Sequence, residues 1–551
     1  MVDALEAAPG RTGARGVGWP AWLQALAAAA LAALLYAGLY AELPIDDTLH
    51  FGPHIEAGIF EWDAAHLFMQ PAVVLWHRVL GFGGPARASQ ERFNTFCAAL
   101  SLGIFYLLLL RLGVAPVGRA VLTALAAVSY NLLNLASSGH VKLAVLPFLT
   151  AALYHAVLWE RDERADGTGG VRRLAAAAVF LGVASGFLIN SVLVAPFLAL
   201  AVAAVSLFAG AGVRRALGRA FAVGGLCGAT GLAVLAAGYA LAGAGPWSVR
   251  GFFGFLLAKT ALRPPVSGEL ESLARGAFGV VQNFVWVGSF GPMLRALMEG
   301  DSSFLPAHRG RLVAEGAVFL AAAALLAWVY LGALRRLGRG RSVAAVPLAF
   351  ILGALAFAIP WNLNESDFYF PLTLPTVVLI AAAPKSAMRS AVSLLLLGLA
   401  AWTSIGEWAV PKKLYPLRRY NAELQTRLTS RDLVVHWYVY TGGPSVIFLD
   451  LPGVPRLPLD RAYERSPGRD LFFSGVAGAI DRRLAEGGRV YLFGILDDRS
   501  WNAPWPGLRR QGLTLERLDS FFRERYTVAD RGEIAGIPCW ELLPKSGRGG
   551  G

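Results

Sequence analysis

From Leu174 to Gly210 the chain runs for 37 residues without an Asp, Glu, Lys or Arg. A bilayer's hydrocarbon core takes a helix of about 20 apolar residues, so this run holds two crossings, with Asn190-Ser191 at the turn between them. Arg172-Arg173 precede the run and Arg214-Arg215 follow it, and two crossings put both pairs on the same side. Similar windows lie at Trp19–Tyr40, Phe93–Leu112, Ala120–Ala136, Val141–Trp159, Phe221–Leu241, Leu312–Leu334, Val343–Pro360, Phe368–Ala383 and Ala391–Thr403. With Leu174–Ile189 and Val192–Gly210 they predict about 11 transmembrane helices. Composition agrees: 56% of residues are apolar and 16% charged, against about 45–50% and 25% in a soluble protein. The first span is too long for a signal-peptide core and lacks a cleavage site before the acidic stretch that follows.

Charge divides the chain. From Glu407 onward 39 of 145 residues are charged (27%), an ordinary globular density, whereas the preceding 406 residues hold 48 (12%). The expected domains are a helical membrane region over 1–405, with long outer loops at 41–92 and 242–311, and a small α/β domain over 406–551. In that tail, Val434–Tyr440, Ser445–Leu449 and Arg489–Phe493 read as strands, and Val476–Glu486 and Thr514–Arg525 as helices. The order β-β-α-β-α-β suits a small open sheet. Cys97, Cys227 and Cys539 are too far apart to suggest a disulfide framework or a CxxC metal site.

The formal net charge of +13 is a record of topology rather than a nucleic-acid surface, because the arginines outside the tail sit in short runs between apolar segments. Arg11, Arg15, Arg111, Arg119, Arg161, Arg164, Arg172, Arg173, Arg214, Arg215, Arg219, Arg335, Arg336, Arg339, Arg341, Lys385 and Arg389 fall on one side of the expected spans. The short loops of the other side hold only Lys142. The positive-inside rule then places the N-terminus in the cytoplasm and, after eleven crossings, the C-terminal domain outside. The Ala-, Gly- and Arg-rich composition points to a GC-rich bacterium, and so to an inner membrane with a periplasmic tail.

Ionisable residues are costly inside hydrocarbon, so their positions are informative. Lys142, Glu160 and Glu315 all lie near helix ends, which argues against an ion-coupled transporter with midplane charges. The densest polar cluster is in the first outer loop: Glu42, Asp46, Asp47, His50, His54, Glu56, Glu61, Asp63 and His66. A solvated loop accounts for most of it. Asp46 and Asp47 differ in sitting only a few residues beyond the first span, where scarce water raises a carboxylate's pKa and fits it to serve as general base toward a bound hydroxyl. Asp47, His50 and His54 could instead hold a divalent cation, although Pro53 interrupts the i,i+4 pair of histidines. In the same loop His66–Phe82 forms an amphipathic stretch, interrupted by Pro71, that would lie along the membrane surface. The aromatic-rich second loop also reads as interfacial.

An acidic pair just after the first span, a first loop with the stretch Trp62-Asp63-Ala64-Ala65-His66-Leu67-Phe68-Met69-Gln70-Pro71, and the later stretch Asn364-Glu365-Ser366-Asp367-Phe368-Tyr369-Phe370-Pro371-Leu372 with Pro375 resemble the GT-C superfamily. These membrane glycosyltransferases include the protein O-mannosyltransferases and the aminoarabinose transferases. The sequence departs from them in its Asp-Asp pair, where mannosyltransferases typically show Asp-Glu, and at Gly139-His140-Val141-Lys142, where many relatives place an Asp. The resemblance implies a polyprenyl-phosphate sugar donor, a glycan, lipid or protein acceptor, and inverting transfer on the outer face. It also implies a cation near the leaving phosphate. Lys142 is the first candidate, with Lys259, Arg263, Arg250 and Arg295 after it; snorkelling to headgroups is the bland account of each. His66, His140, Glu365 and Asp367 are candidate substrate contacts, with interfacial packing and helix capping as their bland accounts. A transporter, flippase or assembly component for lipid-linked glycans is the rival function, and a non-catalytic envelope scaffold a third.

Overall fold

The computed structural model describes residues 19–40, 55, 58–60, 62, 66–80, 86–167, 169–243, 247–257, 269–288, 304–337, 343–361, 366–409, 426–436, 454–459, 462, 469–496, 514–534 and 537–545. They fall into two compact units, one helical and one built mainly on the C-terminal tail.

The helical unit contains α1 (Ala21–Gly38), α2 (Met69–Leu80), α3 (Ala86–Arg111), α4 (Pro116–Val128), α5 (Tyr130–Ala136), α6 (Leu146–Asp166), α7 (Val171–Phe187), α8 (Val194–Phe208), α9 (Val213–Leu241), α10 (Val249–Leu257), α11 (Glu269–Gln282), α12 (Phe304–Arg336), α13 (Ala345–Trp361), α14 (Thr373–Ala381) and α15 (Ala387–Ala400). All eleven expected spans are helical. Among the described residues seven helices are long and apolar enough to cross a membrane, and an eighth crossing is made if α4 and α5, bent by 66° at Ser129, count as one. The protein is a polytopic α-helical membrane protein with a small C-terminal α/β unit. Pro71 does not interrupt the amphipathic stretch: it sits in the first turn of α2, where a missing N–H costs nothing.

At one end of the unit the arginines close the helix ends. Arg336 donates to the Leu379 carbonyl, Arg389 to those of Ala381 and Ala383, and Arg164 to that of Leu337. The buried Glu160 carboxylate binds Arg164 at 3.0 Å and accepts the backbone N–H groups of Ala344, Ala345 and Val346, so one side chain caps α13 and ties it to α6. Glu163 forms an ion pair with Arg219 of α9. At the opposite end the chain repeatedly leaves α geometry. Short 3-10 segments, Val141–Val145, Ile189–Leu193 and Ser366–Leu372, lead into α6, α8 and α14.

The second unit is a five-stranded sheet of order β2-β1-β3-β5-β4, from β1 (Leu433–His436), β2 (Arg456–Pro458), β3 (Val490–Phe493), β4 (Tyr526–Ile534) and β5 (Ile537–Pro544), with α16 (Arg469–Ala485) and α17 (Leu515–Arg525). β1 runs parallel to β2 and β3, while β5 pairs antiparallel with β3 and β4. Two of the expected strands and both expected helices are present. The sheet also includes β2 and the terminal β4–β5 hairpin, so the described order ends in two strands rather than one. The expected strand Ser445–Leu449 lies outside the described residues.

Candidate functional site

The arginine-poor end of the helical unit gathers the polar chemistry. After α5 the chain turns through Ser137–His140 and re-enters in the 3-10 segment Val141–Val145. Pro147 stands in the first turn of α6, where its fixed φ suits a helix start. Lys142 in this segment is 5% exposed. Its ammonium lies over the ring of Phe368, 3.4 Å from the centroid. Phe368 belongs to the second 3-10 segment, Ser366–Leu372, which contains Pro371. Taking an ammonium out of water is expensive; the negative face of an aromatic ring offsets part of that cost. The side chain is therefore held inside the protein rather than extended toward headgroups.

Both 3-10 segments continue into the walls of one apolar gap. Leu146, Leu149, Thr150 and Leu153 of α6, Val194 of α8, Phe350 of α13, Pro371 of the second 3-10 segment, and Leu374 and Pro375 at the start of α14 line a narrow gap of about 20 Å³. The one polar lining residue, Thr150, spends its hydroxyl on the Leu146 carbonyl at 2.7 Å, which leaves the walls apolar. A buried cation is thus held between two chain segments whose next residues line the same narrow apolar gap. This pairing suits an amphiphile with an anionic head.

Around it is a buried seam of uncharged polar groups. The bend at Ser129 frees the first N–H groups of α5, and carbonyls at the end of α11 take them: Tyr130 N donates to Phe284 O and Asn131 N to Asn283 O, both at 3.2 Å. Asn131 Nδ2 donates to Asn283 Oδ1, and Asn283 Nδ2 to Thr373 Oγ1, each at 3.0 Å. Trp286 packs on Tyr130 at 4.7 Å between ring centroids, and its backbone N–H donates to Thr403 Oγ1. The stretch Asn283–Val285 is wholly buried. The expected interfacial character of the second loop therefore does not extend to Asn283–Val285, which are stitched into the core. Beside Phe368, the ring of Tyr369 lies flat against Gly279, in space a Cβ would fill. Its buried hydroxyl has no hydrogen-bond partner among the described residues.

The first loop is anchored rather than free. His66 Nδ1 meets the Phe187 carbonyl at 3.3 Å, which makes it the N–H donor, and Phe68 N donates to Gly186 O at 2.9 Å. Leu67 fills the notch left by Gly238 on α9. Phe68 contacts Phe187, which stacks on Phe148 of α6 at 4.8 Å. His66 thus fastens the loop to the end of α7 through one of its two ring nitrogens.

Of the sequence-derived candidates, Lys142 and His66 lie at this end of the helical unit. His140 is half-buried and groups with the second compact unit. Asp367 directly precedes Phe368 in its 3-10 segment. Asp46, Asp47, His50, His54, Lys259, Arg263, Arg295 and Glu365 lie outside the described residues. Among the described residues no group of three or more His, Cys, Asp or Glu is placed to hold a metal. Sequence reasoning missed Phe368 as a partner of Lys142 and the Asn131–Asn283–Thr373 chain. The available signal was a pair of asparagines, Asn131 and Asn134, inside an apolar window.

No family model matches the chain, and no curated protein does. Among solved structures it is similar to the crystal structure of ArnT from Cupriavidus metallidurans in the apo state, with 11% identity over 94% of this chain and 97% of that one and a TM-score of 0.41. It is also similar to the structure of ArnT from the same organism bound to undecaprenyl phosphate, with 13% identity, the same coverage and a TM-score of 0.36.

Proposed function

We propose that the protein is a membrane glycosyltransferase that moves a sugar from a polyprenyl-phosphate donor to an acceptor hydroxyl. The observation that carries this reading is the buried Lys142 ammonium, held over the Phe368 ring in a segment that leads into apolar helices. A polyprenyl monophosphate has the matching form, an anion on a long apolar chain, and its phosphate would pair with Lys142 while its isoprenoid chain lies against apolar helix surface.

In this reading the arginine-rich end is cytoplasmic and transfer takes place at the outer, periplasmic face of a bacterial inner membrane. Asp46 or Asp47 takes the acceptor's hydroxyl proton as its oxygen attacks the anomeric carbon. The bond from that carbon to the phosphate oxygen breaks, the polyprenyl phosphate leaves, and the configuration inverts. The leaving phosphate gains negative charge in the transition state, where a preorganised cation accelerates the step. His66, His140, Glu365 and Asp367 would line the sugar or acceptor pocket, with Lys259 and Arg263 as further phosphate contacts.

The test is transfer from a polyprenyl-phosphate sugar to acceptor in purified membranes. Asp46→Asn or Asp47→Asn is expected to abolish transfer while donor binding persists, and Lys142→Ala to weaken donor binding. Full transfer in both single aspartate variants would remove the general base. Lipid movement across vesicles without any new glycosidic bond would favour a flippase instead.

A further inference from the structure

We propose that Phe368 is the positioning residue for Lys142, fixing its buried ammonium so that an anionic headgroup meets a preorganised charge. This rests on the reading of Lys142 as the phosphate-binding cation. A lysine has a flexible four-carbon stem and a strongly hydrated head, so left to itself near a membrane surface it extends toward water. Here the ammonium sits 3.4 Å from the centre of the Phe368 ring, where the attraction of cation for ring face is strongest.

The ring can do this because it is itself fixed. It packs against Phe357 of α13 with centroids 5.4 Å apart. Its neighbour Tyr369 is wedged against Gly279 of α11, and Pro371 restricts the same short segment. Lys142 and Phe368 come from chain segments more than 200 residues apart, and residues that follow each of them line the same narrow apolar gap. The contact therefore fixes the charge relative to two distant parts of the chain at once. A Lys held in one geometry loses less rotamer freedom when the phosphate arrives, which is the physical gain of preorganisation.

The experiment is a binding cycle in detergent-solubilised full-length protein, with a polyprenyl monophosphate as probe and the uncharged polyprenol as control. Phe368→Leu is expected to weaken the monophosphate by about 3- to 30-fold, the range of a desolvated cation–π contact, and to leave polyprenol binding unchanged. Phe368→Tyr and Phe368→Trp, which keep a ring face, are expected to retain monophosphate affinity. In a Lys142→Ala background Phe368→Leu should have no further effect, because the two residues act as one unit. Equal losses for monophosphate and polyprenol, or the same loss in the Lys142→Ala background, would show that Phe368 only packs and would overturn the proposal. If Lys142→Ala weakens the monophosphate and Phe368→Leu does not, the positioning role alone is overturned. If Lys142→Ala binds the monophosphate as the native protein does, the phosphate reading of Lys142 falls, and the positioning proposal falls with it.

Discussion

Asn131 Nδ2 donates to Asn283 Oδ1 at 3.0 Å, joining two residues 152 positions apart in the chain. The bond closes a circuit with the backbone pairs Tyr130 N to Phe284 O and Asn131 N to Asn283 O. A kinked span and the end of α11 thereby satisfy each other's helix termini. Asn283 passes the circuit on to Thr373 at the start of α14, directly after the 3-10 segment that carries Phe368 and Tyr369.

Removing the Asn283 amide therefore takes a hydrogen bond from each of two buried groups, Asn131 Nδ2 and Thr373 Oγ1. Asn283→Leu is expected to destabilise the helical unit by about 1–3 kcal/mol, the cost of stranding buried hydrogen-bonding groups, read as a lower thermal unfolding midpoint in detergent. An unchanged midpoint would mean that water or rearranged side chains replace the amide.

Glu160 makes a sharper case. Its carboxylate is fully buried and serves Arg164 and the backbone N–H groups of Ala344, Ala345 and Val346 at the start of α13 at once. Glu160→Ala takes the counter-charge from the buried Arg164 guanidinium and the acceptor from the α13 terminus, and is expected to cost about 3–5 kcal/mol, as for breaking one side of a buried ion pair. Glu160→Gln keeps an acceptor for the N–H groups and should cost less. Unfolding midpoints that fall equally in the two variants would contradict the capping role.

Much of this was legible in the sequence, and the failures have physical causes. Charge-free runs and the one-sided arginines reported the spans because lipid enforces both. The hydrophobic period could not report that α4 and α5 bend at Ser129, since the residues on either side are equally apolar. Phe368 was invisible as a partner of Lys142 because an aromatic residue at a span end usually reads as an interfacial anchor, and its contact depends on two 3-10 segments from distant parts of the chain. In the tail, β1 and β3 were visible as continuous apolar runs. β2, the three residues Arg456–Pro458, has no such signature and is specified by its parallel pairing with β1.

The C-terminal unit should lose stability in acid through Asp432. Burial alone would raise its pKa, but bonds from Arg489 and from Thr429 outweigh it and hold the carboxyl below the usual carboxylate range. A depressed carboxyl contributes stability that is fully present above its unfolded pKa of about 3.9 and is lost as pH falls through the folded value. Hydrogen exchange at β1 and β3 amides in the full chain should therefore accelerate below about pH 4. Asp432→Asn should exchange faster than the native protein at pH 7 and show a smaller acid dependence; identical pH profiles would exclude Asp432 as the titrating group.

The anchoring of the first loop can be tested at the notch where Leu67 meets Gly238. A Cβ on Gly238 would overlap the Leu67 side chain, and helix α9 cannot retreat without parting from α7, against which it packs through Gly231 and Ser185. Gly238→Ala is therefore expected to push Leu67 out and strain the adjoining bonds, Phe68 N to Gly186 O and His66 Nδ1 to Phe187 O. The change should appear as faster amide exchange at Phe68. If the proposed function holds, transfer should also fall, because the loop that carries Asp46 and Asp47 has lost its fastening. Replacing Leu67 by alanine in the same chain empties the notch and should restore the Phe68 protection. Such rescue separates a steric fastening from a general loss of helix packing, since Gly238→Ala alone raises intrinsic helix propensity and would otherwise be expected to stabilise α9. Unchanged exchange at Phe68 in Gly238→Ala would show that the loop is held elsewhere.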